Sequence, residues 1–176
     1  MRYGPLALSF DFGTQSVRAI LFDKTGEIRG KEKIDYKRPY FSVKPGYCEQ
    51  TADFYWDNMC AVSRKLRESA GELWNDVVAM SVTSLRDVIT CLDENNNPLR
   101  PFILYLDGRR VENAADYIPS GKKQLVRLAG ALDISIAQYA ATFANWIAIN
   151  EPEIWAKTRK VVMLPTYIHY KLLGKL

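Results

Sequence analysis

The sequence predicts an α/β domain in which a mixed sheet is flanked by helices, and three observations carry this reading. Two strand-like segments surround a polar turn near the start and a third follows a Gly-containing turn. A nearly continuous apolar run follows the first helical pattern, and the remainder mixes helical patterns with one more short strand. At 176 residues the chain has the length of one ordinary domain and can bury a sizeable core without staples.

In the first strand, about residues 6 to 12, Leu6, Leu8, Phe10 and Phe12 alternate with Ala7, Ser9 and Asp11, so one face is apolar and the other carries the charge. "VRAILFD" from Val17 to Asp23 supplies the second strand, the turn "KTGE" offers Gly26 for positive φ, and a third strand starts near Ile28. These three form an antiparallel meander. After the loop "RPYFSVKPGYCEQ", Thr51 can cap a helix whose Tyr55, Met59, Val62 and Leu66 share one face and which ends near Gly71. "VVAMSVT", residues 77 to 83, reads as a strand covered on both faces, parallel and central. "VITCLD" with the "ENNNP" turn suggests a further hairpin. From Arg109 onward "RRVENAADYI", "GKKQLVRLAG" and "ISIAQYAATFANWIAINEP" read as helices, punctuated by Pro119 and Pro152, before a strand "KVVML" and a closing helix "PTYIHYKLLG".

Composition narrows the function. With 48% hydrophobic and 25% charged residues the chain reads as soluble and globular, and no apolar run approaches the roughly 20 residues of a membrane span. The start "MRYGPLALSFDFG" does not read as a signal peptide, which points to the cytoplasm. Cys48, Cys60 and Cys91 are odd in number and widely spaced, suggesting reduced thiols. The net charge of +4 is modest, and the charged stretch Arg29 to Arg38 mixes signs like a solvated strand edge, so neither a nucleic-acid partner nor a membrane is expected. His169 is the only histidine, which excludes mechanisms needing several imidazoles and suits a surface or packing position.

A carboxylate closing an apolar strand is costly unless it is paired or close to a cation, so Asp11 needs an explanation. Gly13 permits a tight turn and close approach of a ligand, successive turn N–H groups can receive an anion, and Thr14 and Ser16 add hydroxyls. Such a turn suits phosphate, with Asp11 holding magnesium through water. The competing reading is an ordinary hairpin turn in which Asp11 bonds to nearby backbone. The chain has no G-x-G-x-x-G, and the final "GKL" lacks the first Gly of a Walker sequence because His169 stands there.

The order of motifs resembles the FGGY carbohydrate kinases of the actin, sugar-kinase and heat-shock ATPase superfamily. "LSFDFGTQSVRAILFDKTGEI" is similar to the family's phosphate hairpin, and "PGYCEQTADFYW" to its G-x-x-E-Q segment. "VVAMSVTSLRD" resembles the strand leading to a substrate loop, and "PFILYLDGR" the W-x-D-x-R segment with Tyr105 in place of Trp. "NEPEIWAKTRKVVMLPTYIHYKLLGKL" resembles the N-x-P-E stretch with its following strand and helix.

The resemblance implies a ribonuclease H-like fold, a mixed sheet with a three-strand meander and then parallel strands, flanked by helices and carrying a mostly helical insertion. It also implies phosphorylation of a small sugar or polyol by ATP with magnesium. By matching positions, Asp11 would position magnesium, and Gly13, Thr14 and Gln15 would face the phosphates. Arg86 and Asp87 match a pair that hydrogen-bonds substrate hydroxyls, Asp107 matches the motif's acidic residue, and Gln138 falls near another substrate-facing position. Against these stand plainer roles: Arg86 and Asp87 as a solvated pair, Asp107 as the cap of a helix near Arg109, Gln138 on a helix surface, and Trp56, Trp74, Trp146 and Trp155 as core anchors.

Residues 1–176 then read as an incomplete N-terminal kinase domain. The C-terminal ATP-binding domain is absent from the chain, and the general base is expected beyond Leu176. The isolated chain is expected to be inactive and to self-associate, as a homodimer, through apolar surface its missing half would cover. Two other readings are a non-catalytic sugar-sensing or protein-interaction module and a ribonuclease H-like nuclease. The nuclease needs further carboxylates facing Asp11, where the central strand offers Thr83 and Ser84. Glycerol, pentulose, hexulose and signalling-sugar kinases share these motifs, so the acceptor stays open.

Overall fold

The computed structural model describes residues 4–176, so the part of the signal-peptide reading that concerns Met1 to Tyr3 lies outside the described residues. Strand β1 (Leu6–Phe12) alternates as its sequence dictates, burying Leu6, Leu8, Phe10 and Phe12. It pairs antiparallel with β2 (Ser16–Phe22), which pairs antiparallel with β3 (Ile28–Asp35), giving the expected meander.

Helix α1 (Ala52–Ala70) covers this sheet. The Thr51 hydroxyl accepts from the Phe54 N–H, Tyr55, Met59, Val62 and Leu66 form the buried stripe, and Gly71 ends the helix at φ 56°. Each such side chain contributes about 1.5–3 kcal/mol by leaving water, so the stripe holds helix to sheet more firmly than intrinsic propensity does.

Between them lies the two-residue β4 (Glu49–Gln50); beyond α1, β5 (Val77–Ser84) runs parallel to β1 and completes a sheet of order β3-β2-β1-β5. Its parallel pairing is as expected, but its place is not: β5 is an edge, with Val78 73% and Met80 46% exposed. After Ser84 the chain turns away through Leu85–Asp87 into β6 (Ile89–Leu92), which belongs to a second sheet, so no strand among the described residues flanks β5 on its outer side.

That second sheet has the order β4-β7-β6-β8, with β7 (Phe102–Ile103) and β8 (Lys160–Met163). The hairpin expected after "VITCLD" forms as β6 and β7. Where further parallel strands were expected, β8 instead pairs antiparallel with β6, its ends fixed by Arg159 N–H to Leu92 O at 2.8 Å and Leu164 N–H to Val88 O at 2.9 Å. Only Val162 of β8 is buried, as befits an edge strand.

The helical excursion is more broken than its sequence suggests. Of Arg109–Ile118 only Ala114–Tyr117 makes a 3-10 turn, because Arg109 is drawn into a buried ion network and Asn113 takes φ 50°. Helices α2 (Ser120–Leu128), α3 (Leu132–Ala141), α4 (Phe143–Asn150) and α5 (Pro152–Lys157) follow. The stretch expected as one helix divides at Thr142, where the backbone is extended at ψ 112° and the hydroxyl donates to Gln138 O at 2.7 Å. Phe143, Trp146 and Ile147 with Cys91 and Ile103 form a second core. Helix α6 (Leu164–Leu173) packs Leu164, Tyr167 and Ile168 into the first core and leaves His169 exposed.

All three cysteines are free. Trp146 is the buried tryptophan; Trp56 and Trp74 pack partly against the first core, and Trp155 is 40% exposed. Among the described residues no helix is long and apolar enough to cross a membrane.

Candidate active site

The hairpin register sets Asp11 opposite Arg18, and the Arg18 Nη1 donates to Asp11 Oδ2 at 2.9 Å. With the Arg18 and Asp11 side chains 45% and 39% exposed, the pair is hydrated as well as neutralised, which removes most of the cost of a charge at the strand end. The turn beyond it is tight. Gly13 N–H donates to Ser16 O at 2.9 Å, and Tyr36 N–H donates to Gln15 O at 2.8 Å, pinning the turn to the end of β3. The Gln15 side chain is exposed, and the Thr14 hydroxyl lies 3.0 Å from the hydroxyl of Tyr105.

Tyr105 also lines an open cleft of about 830 Å³ together with Asp87, Arg110 and Gln138 and with the apolar Ile89, Phe143 and Met163. The structure therefore brings the predicted turn residues and two of the predicted acceptor residues to one region, with Tyr105 joining them. Asp87 sits at φ 58°, a left-handed conformation uncommon outside glycine and held by the sharp exit from β5. Gln138 is exposed on α3, on the cleft wall. Arg86 is exposed and not among the cleft-lining residues. Arg110 was not foreseen. Its Nη1 donates to the backbone oxygens of Asp107 at 3.2 Å and Arg109 at 2.6 Å, which sets a cation on the cleft wall. Carboxylate, amide, guanidinium and phenol against apolar side chains offer the donors and acceptors that neighbouring hydroxyls need.

Asp107 has a different place from the one expected. Its side chain is fully buried, Arg109 Nε and Nη2 grip both carboxylate oxygens at 2.8 and 2.7 Å, and the Cys48 and Arg109 amides donate at 2.6 and 2.8 Å. Those bonds take up its acceptor capacity, so Asp107 neither meets the cleft nor caps a helix. Burial pushes its carboxyl up, but the Arg109 guanidinium and the two amides outweigh burial and hold it below the ordinary range. Burial, with the Asp107 charge, pushes the Cys48 thiol up.

The ion pair is part of a larger network. Arg109 also reaches Glu49 at 2.8 Å, Glu49 meets Arg100 at 2.5 Å, and Arg100 lies 2.9 Å from Glu151. The Arg109 guanidinium stands over the rings of Tyr47 and Trp146 at 4.0 and 4.8 Å. Gly46, at φ 82°, lets its carbonyl accept from Gly108 N–H at 2.8 Å and brings the two loops into contact. Sequence spacing marks Asp107 and Arg109 as neighbours, but nothing local to it joins them to Glu49, Arg100 and Glu151. The network is what fixes the loop from which Tyr105 and Arg110 project.

Leu176, the position beyond which the general base is expected, follows α6 with an exposed side chain and is not among the residues lining the cleft. An aliphatic side chain has no proton to exchange, so Leu176 itself takes no part in the chemistry and marks only a position along the chain.

One partly exposed carboxylate, shared with Arg18, in the same turn as the Thr14 hydroxyl is the sparse protein contribution that a hydrated magnesium ion takes. A nuclease arrangement is not supported, since Thr83 and Arg18 are the register neighbours of Asp11, and among the described residues no group of three or more His, Cys, Asp and Glu could hold a metal.

Residues 6–176 match the FGGY family of carbohydrate kinases, N-terminal domain. The xylulose kinase of Lactococcus lactis is 24% identical over 169 residues, 96% of this chain and 33% of that protein. A glycerol kinase of Thermotoga maritima is 27% identical over 172 residues, 95% of this chain and 34% of that protein. The crystal structure of a xyloylose kinase from Brucella ovis matches with a TM-score of 0.79 at 23% identity, over 96% of this chain and 34% of that one. A gluconate kinase from Lactobacillus acidophilus matches with a TM-score of 0.74 at 18% identity, over 98% and 34% respectively. These structures share the fold, and the chain spans about a third of the length of the relatives it matches.

Proposed function

Because this chain belongs to the FGGY family of carbohydrate kinases, we propose that it is the amino-terminal part of an enzyme that transfers the terminal phosphoryl group of ATP, with magnesium, to a hydroxyl of a small sugar or polyol. The observation that carries the proposal is the Thr14 to Tyr105 contact, which sets the Asp11–Gln15 turn beside the acceptor cleft. Matches to xylulose and glycerol kinases point to a ketose or polyol as acceptor.

Magnesium, when bound, neutralises charge on the phosphate oxygens. Asp11 would hold that ion through its water shell. With the Gly13 N–H engaged by Ser16 O, Gly13 shapes the turn, and the N–H groups of Thr14 and Gln15 with the Thr14 hydroxyl would donate to phosphate oxygens. In the cleft Asp87 and Gln138 hold the acceptor by its hydroxyls, and the apolar wall of Ile89, Phe143 and Met163 excludes water from one side. Arg86, exposed beside Asp87, reaches substrate only from the rim.

On this reading the general base, beyond Leu176, and the adenosine-binding half would lie outside the third of the relatives' length that this chain spans. The isolated chain therefore binds acceptor without turning it over. A cytoplasmic location and self-association through the open edge of β5 complete the proposal.

The test is ADP release from ATP with glycerol, D-xylulose and related acceptors, with the 176-residue chain alone and with a polypeptide of the relatives' full length carrying it. Turnover by the long form only, lost in Asp11→Asn, supports the proposal. Turnover by the short chain refutes its division into halves. Acceptor binding with no turnover by either form identifies a sugar-sensing module instead.

A further inference from the structure

We infer that Tyr105 is a positioning residue that ties occupancy of the acceptor cleft to the phosphate turn, through the hydrogen bond between its hydroxyl and that of Thr14. The inference rests on the functional reading above and adds a residue to it, one for which the resembling motif carries Trp.

Both partners of this bond project from immobilised backbone. On one side, Leu104 N–H donates to Cys48 O at 3.0 Å and Asp107 N–H to Leu104 O at 2.9 Å, and the Asp107 carboxylate is gripped by Arg109. Tyr105 thus stands in a loop locked on its C-terminal side by buried charges and on its N-terminal side by β7. On the other side, the Gly13 and Tyr36 amide bonds clamp the turn on either side of Thr14. Two rigid supports leave the contact at 3.0 Å as the adjustable joint between them.

The chemistry of that joint suits a relay. A phenol can donate and accept at once, whereas an indole N–H only donates. Tyr105 forms part of the cleft wall and is 44% exposed, so an acceptor entering beside Asp87 and Gln138 meets it directly. Any shift of the ring moves the hydroxyl that selects the Thr14 rotamer, and Thr14 carries the hydroxyl facing the phosphates. A Thr side chain has few staggered choices, so one hydrogen bond suffices to select among them. Acceptor and phosphate sites are then coupled through a single contact, which gives a phosphate-ready turn when the cleft is filled.

The experiment is NMR on the isotopically labelled 176-residue chain, reading three-bond couplings of Thr14 and titrating with xylitol. In the wild type Thr14 holds one χ1 rotamer, and xylitol shifts the amide signals of Asp87, Gln138 and Thr14. In Tyr105→Phe the Thr14 couplings average, and at xylitol concentrations that saturate the shifts of Asp87 and Gln138 the Thr14 signal no longer responds. Thr14→Val, which keeps the shape and removes the hydroxyl, uncouples the turn in the same way. A Thr14 that keeps both its single rotamer and its xylitol response in Tyr105→Phe overturns the inference. If xylitol, glycerol and D-xylulose all leave Asp87 and Gln138 unshifted in the wild type, the acceptor reading fails. The couplings in the ligand-free proteins then decide the role of Tyr105, since unchanged couplings refute it and averaged ones sustain it.

Discussion

Arg18 donates to Asp11 across the first hairpin at 2.9 Å, so the carboxylate that closes an apolar strand is neutralised by its cross-strand neighbour within the chain itself. Because both side chains are well exposed, the pair contributes little to folding. Asp11→Asn and Arg18→Met should each change unfolding free energy by less than about 1 kcal/mol in urea titration. Asp11→Asn should nevertheless abolish magnesium-dependent phosphate binding, measured by calorimetry, and a loss of several kcal/mol in stability would instead assign Asp11 a structural role.

The opposite balance holds for Asp107 and Arg109. Both are buried in a network with Glu49, so removing one leaves a charge without its partner. Arg109→Met should destabilise by about 3–5 kcal/mol in urea unfolding. Arg109→Lys should recover only part of this, because an ammonium cannot grip both Asp107 oxygens or lie flat on Tyr47 and Trp146.

Acid should act through the same pair. The folded Asp107 carboxyl lies below its unfolded value, so its contribution is present above the ordinary carboxylate range, about pH 4, and is lost as pH falls through the lower folded value. Thermal melts of the wild type should therefore drop on acidification below about pH 4, and Asp107→Asn should be less stable at neutral pH with a flatter acid limb.

Alkali should act through Tyr36. Burial, with smaller effects of Tyr55 and Asp11, raises its phenol above the ordinary value, so the stability it contributes is present below about pH 10 and is lost as pH rises beyond it. Its hydroxyl is buried with no hydrogen-bond partner among the described residues. Tyr36→Phe should accordingly be neutral or stabilising by up to about 1–3 kcal/mol at pH 7, and should flatten the alkaline limb of a melting profile.

The open edge of β5 should drive self-association. Val77–Ser84 carries no charge or proline, the usual protections of an exposed strand. Sedimentation should detect dimers that Val78→Lys or Met80→Lys reduces while circular dichroism stays unchanged; a monomer at all concentrations would rule out the homodimer.

What the sequence disclosed was local. The Thr51 cap, the stripe from Tyr55 to Leu66 and the alternation of Leu6 to Phe12 are set by neighbours within one helical turn or one pleat, and the structure has each of them. The misplaced features depend on distant partners. "VVAMSVT" is apolar enough to be central but lies at an edge because the chain leaves for a second sheet after Leu85–Asp87. Asp107 stands where the resemblance implies a substrate contact, yet Arg109 and the Cys48 amide, the latter contributed from far along the chain, take up its oxygens. The helix divides at Thr142, where the backbone turns extended at ψ 112°, a choice no periodicity records. Tyr105 was visible only as a departure from Trp, and its partner Thr14 lies 91 positions away.

Everything proposed for this chain turns on whether the cleft beside the Asp11–Gln15 turn receives a small polyol or ketose. Isothermal titration of the 176-residue chain with glycerol, xylitol and D-xylulose measures this. At least one of the three should bind, and Asp87→Ala and Gln138→Ala should each weaken it by about tenfold or more, equivalent to ~1.4 kcal/mol of hydrogen bonding. Binding that neither substitution disturbs, or no binding of any of the three, would overturn the assignment of the cleft.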